Sequence, residues 1–397
     1  MKKPELLAPA GDLETLRAAL YFGADAVYVG GPFLQLRAEK AGFSMEALAE
    51  AVRLTHARGK KLYVTVNCFA GNGEVEQAGP YANALADLGA DAVIVSDLGL
   101  IAAIRAARPD LPVHVSTQAN ALNYATVNCY AKMGCTRVVL GREMTLAGIE
   151  ALRGKIDPAT ELEVFVHGAM CMAYSGRCLL SSYFNNRSGN RGACTQPCRW
   201  EYYLVEKQRA NTLIPIVEDG GESAILSSTD LNCISFLDRL TDAGIASFKI
   251  EGRMKSPYYV ATVVNAYRRR MDGTASLEVC QRELDAASHR PYSTGFYFGA
   301  CKTDPNNDGR YRQTCRFTGV VREKTGENTY VVEMRNAFAV GDELEILSPG
   351  SVGQSFPVTS IRAADGSPKE KADLVQEPVE IVCPVELSPG DILRKRM

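Results

Sequence analysis

Gly23-Ala-Asp-Ala-Val-Tyr-Val-Gly30 and Gly89-Ala-Asp-Ala-Val-Ile-Val-Ser96 are two copies of one half-unit, and reading them decides the fold. Weaker versions are Gly134-Cys-Thr-Arg-Val-Val-Leu-Gly141 and Gly244-Ile-Ala-Ser-Phe-Lys-Ile-Glu251. An amphipathic run precedes each, at residues 13–21, 81–88, 124–133 and 234–242. The pattern predicts a helix, a Gly just past its end, a short loop and a buried strand. Other apolar runs of strand length fall at 6–10, 62–66, 113–116 and 162–166. Short buried strands alternating with helices mean a parallel sheet.

The predicted strands are 6–10, 26–29, 62–66, 92–95, 113–116, 137–140, 162–166 and 247–250. Eight strands over roughly 250 residues is the count and length of a (β/α)8, TIM-like barrel. A ninth run at 224–228 reads as an extra strand in an insertion. A doubly wound open sheet is the alternative, and the eightfold count favours the barrel. The barrel is expected over residues 1–271, ending with a helix at 258–271, and a linker or helical segment over 272–311. From 312 to 397 the runs alternate or are β-branched, at 317–321, 329–334, 343–347, 354–361 and 379–382. Gly and Pro turns separate them, so a smaller C-terminal β-barrel domain is expected there.

Composition excludes several classes. Hydrophobic residues make up 46% and charged residues 23%, as in ordinary globular chains. The formal net charge is −2, so nucleic-acid binding needs a local basic patch. No uninterrupted apolar stretch is long enough for a membrane span, and Pro4 and Asp12 break up the run after Lys2-Lys3. A cytoplasmic location is expected. Twelve cysteines are then unlikely to be disulfides, and Cys68, Cys129, Cys135 and Cys383 read as core residues.

Four other cysteines stand close together, in Cys171-MAYSGR-Cys178-LLSSYFNNRSGNRGA-Cys194-TQP-Cys198. Thiolates in such number suit a soft metal centre. Structural zinc usually shows two close pairs, and here only Cys194 and Cys198 form one, which leans towards iron–sulfur. Cys233 is a fifth candidate, because it follows the ninth run and could reach the same face. The fourth place is open between Cys198 and Cys233.

In a (β/α)8 barrel, reactive groups collect at the carboxyl ends of the strands. Residues at or just after the predicted strands are Asp12, Arg37, Asn67, Asp97, Gln118, Asn120, Arg142, Glu143, His167, Lys249, Glu251, Arg253 and Lys255. Strand ends are commonly polar for local reasons, so the ensemble carries more weight than any member. Its cations suit a small anionic molecule such as a carboxylate. Arg253 and Lys255 are predicted to contact the carboxylate, with His167 as an acid/base candidate. Arg37, Asn67, Gln118, Glu143 and Lys249, with Tyr174 and Arg177 from the cysteine segment, are predicted to line the substrate site. Arg187, Arg191, Arg199 and Trp200 are predicted to contact RNA, the Trp by stacking on a base. No GxSxG, HExxH, Walker A or dinucleotide fingerprint occurs.

The run Glu163-Val-Phe-Val-His167-Gly-Ala-Met-Cys171-Met-Ala-Tyr-Ser-Gly-Arg-Cys178-Leu-Leu-Ser resembles the signature of peptidase family U32, the collagenase-like proteases. Leu6-Leu-Ala-Pro-Ala-Gly11, Ser116-Thr-Gln-Ala-Asn120 and Lys249-Ile-Glu-Gly-Arg-Met-Lys-Ser256 match as well, so the resemblance covers residues 1 to about 300. Within the family the chain is most similar to the branch that hydroxylates tRNA. Telling stretches are His114-Val-Ser-Thr-Gln-Ala-Asn-Ala-Leu-Asn123 and Cys194-Thr-Gln-Pro-Cys-Arg-Trp-Glu-Tyr202. The resemblance implies an iron–sulfur enzyme that converts the wobble uridine of certain tRNAs to 5-hydroxyuridine, with prephenate as co-substrate. It implies a 4Fe-4S cluster on Cys171, Cys178 and Cys194. Its second cysteine motif, similar to Asp230-Leu-Asn-Cys233, favours Cys233 over Cys198 as fourth ligand. Partners implied are tRNA, a small anionic metabolite, and a second U32 protein or a redox partner. A sibling activity on rRNA or a quinone precursor, and a peptidase, are the alternatives; no nucleophile–base order supports the peptidase.

Overall fold

Eight parallel strands close into a barrel in the computed structural model, which describes residues 3–36, 42–171, 173–200, 203–205, 213–215, 229–299 and 311–397. The strands are β1 (Glu5–Pro9), β2 (Ala26–Gly30), β3 (Lys61–Val66), β4 (Ala92–Val95), β5 (Val113–Val115), β6 (Arg137–Val139) and β7 (Glu161–Ala169). After β8 (Tyr203–Val205), β9 (Leu213–Pro215) and β10 (Asp230–Asn232) comes the eighth barrel strand, β11 (Ser247–Ile250). It closes the ring by pairing with both neighbours: Ser247 stands opposite Glu5 of β1 and Glu163 of β7. The repeated Ala-Val-x-Val cores of β2 and β4 are buried along their whole length, as strands covered on both faces must be. All eight strands expected from the repeat are present.

Helices follow the strands: α1 (Leu13–Tyr21), α2 (Met45–His56), α3 (Asn72–Val75), α4 (Ala78–Asp87), α5 (Leu98–Ala107), α6 (Tyr124–Lys132) and α7 (Leu146–Arg153). Several starts are written in the sequence as caps. Asp97 accepts from Gly99 and Leu100 N–H, Asn123 from Thr126 N–H and Thr145 from Gly148 N–H. Asp12 likewise accepts from Thr15 N–H at 2.7 Å, at the start of α1. Asp12 and Asp97, read from sequence as members of the mouth, are therefore spent on helix starts.

The last barrel crossover departs from the simple plan. β7 runs on to Ala169, beyond the predicted end at Val166, because β10 pairs antiparallel with its last turn of strand. β10 in turn pairs with β12 (Tyr292–Ser293). Between β7 and β10 lie α8 (Leu180–Asn185) and the hairpin β8–β9. The predicted strand at 224–228 lies outside the described residues. After β10 come α9 (Leu237–Asp242), β11, α10 (Pro257–Asp272) and α11 (Leu277–Leu284).

The barrel interior holds ions as well as apolar side chains. Glu163 on β7 is fully buried and pairs with Lys249 Nζ of β11 at 2.8 Å and Arg137 of β6 at 3.1 Å. Arg137 also reaches Glu5 at 2.6 Å, and Glu5 accepts from Tyr63 Oη at 2.7 Å. Every charge is answered by an opposite one, the condition for burying ions. Burial alone would raise the Glu163 carboxyl, but Lys249 and Arg137 outweigh it and hold it at about 2. His114 packs edge-on to Tyr63 at 4.8 Å; burial, then Arg137, keeps it neutral, well below the usual histidine range.

The chain forms two compact units. The first comprises Met1–Leu16, Asp25–Met254 and Arg290–Tyr311, and the second Arg17–Ala24, Lys255–His289 and Arg312–Met397. The second contains an antiparallel sheet of eight strands built on Cys315–Lys324, Thr329–Met334, Glu343–Ser348, Pro378–Val382 and Ile392–Arg396. The run expected as one strand at 354–361 is two, Ser351–Pro357 and Ile361–Ala363, parted at Val358–Ser360 where the chain changes partner. Arg394 is fully buried between Glu283 and Glu345, an ion triad within this unit.

Candidate active site at the barrel mouth

An open pocket sits at the carboxyl ends of the barrel strands. Its cationic wall is Arg142, Lys249 and Arg253, and its neutral polar wall is Thr65, Asn67, Ser116, Thr117 and Gln118. Tyr28, Leu36, Ile94, Phe165 and Ala169 supply apolar surface, and Glu251 and Cys171 complete it.

Each cation is aimed by its neighbours. Arg253 Nη1 donates to Thr65 Oγ1 at 2.9 Å and Gln35 Oε1 at 3.1 Å, two neutral oxygens. It reaches them over Gly30, where a Cβ would stand 2.6 Å from Arg253 Nη1 and 2.5 Å from Gln35 Oε1. A side chain at this position, the end of β2, would have to displace the tips of Arg253 and Gln35. Arg142 lies over the Phe165 ring at 3.9 Å, a cation–π contact. Its ion pair with Glu251 is long, at 3.5 Å, and its buried Nε has no hydrogen-bond partner among the described residues. Arg142 thus keeps donor capacity for an oxygen that enters the pocket. Lys249 Nζ faces the Tyr28 ring at 4.4 Å while bonded to Glu163. Tyr28 Oη donates to the Ile250 carbonyl at 2.9 Å; burial, then Glu251, keeps the phenol protonated, well above its usual range.

The cysteine segment is fastened over this mouth. Gly176 has a left-handed φ of +74°, and a Cβ there would overlap the Gln118 carbonyl oxygen. Arg191 Nη1 donates to the Phe69 carbonyl at 2.8 Å and Nη2 pairs with Glu74 at 2.8 Å. Ser175 N–H donates to Glu143 Oε1 at 2.9 Å. The loops after β3, β5 and β6 therefore hold the segment that carries the thiols.

Cys171 and Cys194 are exposed, Cys178 and Cys198 partly so, and Cys233 is fully buried. The backbone N–H of Gln196 donates to Cys194 Sγ at 3.4 Å, a contact that suits a ligating thiolate. Burial pushes the Cys233 thiol well above its usual range. Among the described residues no three His, Cys, Asp or Glu side chains stand in a metal-ligating arrangement. Cys171, Cys178, Cys194 and Cys198 are soft-metal donors by chemistry, and Cys171 lines the pocket.

Of the residues predicted from sequence, Asn67, Gln118, Arg142, Lys249, Glu251 and Arg253 come together in the pocket wall, with Cys171. Glu143 stands behind the wall, holding Ser175. His167 lies within β7 rather than after it, is buried, and packs on the Tyr292 ring at 5.4 Å; it is not part of the wall. Lys255 falls in the second unit, with Nζ on the Ser288 carbonyl at 3.3 Å. Tyr174, Arg177 and Arg187 are exposed on the cysteine segment, as is Trp200. Arg191, read as an RNA contact, is engaged by Phe69 and Glu74. Arg37 and the Arg199 side chain lie outside the described residues. Sequence reasoning missed Tyr28, Thr65 and Phe165, which sit inside strands. The available signal was a polar group, the Tyr28 hydroxyl or Thr65, interrupting an apolar barrel strand.

Comparison with known proteins matches residues 11–307 to peptidase family U32 and residues 313–394 to the peptidase family U32 C-terminal domain. The tRNA hydroxylation protein P1 of Bacillus subtilis (strain 168) is 38% identical, over 99% of this chain and 95% of its own. The tRNA hydroxylation protein P of Escherichia coli (strain K12) is 38% identical, over 88% of this chain and 87% of its own. The 23S rRNA 5-hydroxycytidine C2501 synthase of the same organism is 38% identical over 68% of this chain and 39% of its own.

Proposed function

This chain belongs to peptidase family U32, and on that premise we propose that it is an RNA hydroxylase acting on the wobble uridine of tRNA, with a small dianionic co-substrate and an iron–sulfur cluster. One observation carries the reading: Arg142, Lys249 and Arg253 line the same pocket as Cys171. Relatives that span nearly the whole chain are tRNA hydroxylation proteins, which supports RNA as the substrate class. Prephenate, with two carboxylates, suits a wall with three cations.

Cys171, Cys178 and Cys194, with Cys233 as the fourth, would hold a 4Fe-4S cluster, which supplies one-electron redox chemistry when bound. The chain's own residues do the rest. Arg253, braced by Thr65 and Gln35, takes one carboxylate. Arg142 takes a second with its unspent Nε, releasing its long contact to Glu251. Tyr28 and Phe165 shield these pairs from water, which strengthens them. His167 is buried within β7 against Tyr292, outside the pocket wall, and Lys255 has no part in the pocket. A peptidase has less support: Ser116 Oγ accepts from Gln118 N–H and Thr117 Oγ1 donates to the Leu140 carbonyl, so neither hydroxyl is poised as a nucleophile.

A strain lacking the gene is expected to lose 5-hydroxyuridine and its derivatives from tRNA, measured by nucleoside mass spectrometry. An unchanged profile overturns the assignment. Protein purified without oxygen is expected to carry about four irons and four sulfides per chain. Replacing Cys171 by Ser should remove most of both, whereas stoichiometric zinc without sulfide would contradict the cluster.

A further inference from the structure

α8 is inside out. Its Ser181 side is buried: Ser181 Oγ accepts from Thr195 N–H at 3.0 Å and Asn185 Nδ2 donates to Thr195 Oγ1 at 2.7 Å. Its aromatic side faces water, with Tyr183 86% exposed, Leu179 70% and Phe184 49%. Leu179 and Tyr183 are four residues apart and joined by the helical hydrogen bond, so they share one face. The Tyr183 and Phe184 rings touch edge to face at 5.6 Å. A helix that gains only from its own domain would bury these rings and expose the serine.

The charge around it points to the occupant. Residues 171–200 contain Arg177, Arg187, Arg191 and Arg199 and no Asp or Glu, in a chain whose net charge is −2. Arg177 and Arg187 are exposed. Flat aromatic surface set among arginines is the chemistry that receives unpaired nucleobases and their phosphates. The segment is fastened to the pocket rim at Gly176 and contributes Cys171 to the wall.

We propose that the outer face of α8, formed by Leu179, Tyr183 and Phe184, is a stacking platform for unpaired bases of an RNA loop, held there while one base enters the pocket. The proposal rests on the RNA hydroxylase reading above and adds where the loop is gripped and why single-stranded RNA is selected. Discrimination comes from the rings, because a paired duplex keeps its bases stacked inside, while the arginines attract both forms.

The test uses the full chain and two labelled RNAs of equal length, a stem-loop and a fully paired duplex, in fluorescence anisotropy at fixed salt. Losing one stacked base is about 1–3 kcal/mol, or roughly 5- to 150-fold in Kd. Tyr183→Ala is expected to weaken stem-loop binding by that factor and to leave duplex binding unchanged, and Tyr183→Phe to restore it. Phe184→Ser serves as a second variant if the first does not purify folded. A stem-loop Kd within about two-fold of the parent in both variants overturns the platform and leaves the hydroxylase reading standing. A protein partner seated on this face would give that same overturning result. If the parent chain binds neither RNA, the hydroxylase reading falls, and the platform with it.

Discussion

Arg253→Ala is expected to raise the KM for the anionic co-substrate roughly 10- to 150-fold, the equivalent of losing about 1.5–3 kcal/mol of hydrogen bonding to a charged group. Arg253 is only 6% exposed, and Thr65 and Gln35 hold its guanidinium in the pocket wall. Its arrangement is set before any ligand arrives, so little entropy is lost in using it. Arg253→Lys keeps the charge but not the fork, and should recover only part of the loss. Gly30→Ala should imitate the defect without removing any charge, because the added methyl occupies the space of Arg253 Nη1. The measurement is hydroxylation rate against co-substrate concentration, with RNA held constant. A KM for Arg253→Ala within about two-fold of the parent would remove Arg253 from the site.

Glu163→Gln is expected to cost about 3–5 kcal/mol of stability, the penalty for leaving a buried charge without its counter-ion. Glu163 is fully buried and is the carboxylate that Lys249 Nζ bonds; it also supports Arg137. Arg137 keeps Glu5 and Glu161, so most of the damage falls on Lys249. Pairing Glu163→Gln with Lys249→Met should recover much of the stability, and the double-mutant cycle isolates the pair. Denaturant midpoints of the four proteins decide it; a single-variant loss below about 1 kcal/mol would refute the network's role. The pH dependence has a definite sign. The folded carboxyl sits at about 2, below the unfolded value of 4.5, so its contribution is present above pH 4.5 and fades as pH falls towards 2. His114 acts in the same direction: burial holds it well below the ordinary histidine value of 6.5, so acid favours the unfolded chain, which can take the proton.

The barrel was legible because its signal is local and repeated. The Gly-Ala-Asp-Ala-Val half-unit marks helix end and strand in about eight residues, and the first seven of the eight apolar runs begin 20 to 36 positions apart. β10 was not legible. Three residues, Asp230-Leu-Asn, have no period, and their pairing with β7 is purely tertiary. The same pairing lengthened β7 and drew His167 into a strand. At the site, Asn67, Gln118, Lys249 and Arg253 could be read because they are polar groups at strand ends. Tyr28 and Phe165 look like core residues in sequence, and only closure of the barrel turns them towards a pocket. Asp12 and Asp97 failed for the opposite reason, since a polar residue at a strand end is equally the first residue of a helix.

The excursion between β7 and β11 bears on assembly. Ala169 and Ser247 are 78 positions apart, yet the two strands lie side by side. Chain-closure entropy grows only with the logarithm of length, so this excursion costs about 1 kcal/mol more than a crossover of roughly 20 residues. Closing the ring therefore does not depend on first ordering what lies between. The eight strands can form a finished vessel before the thiol-bearing segment settles over its mouth.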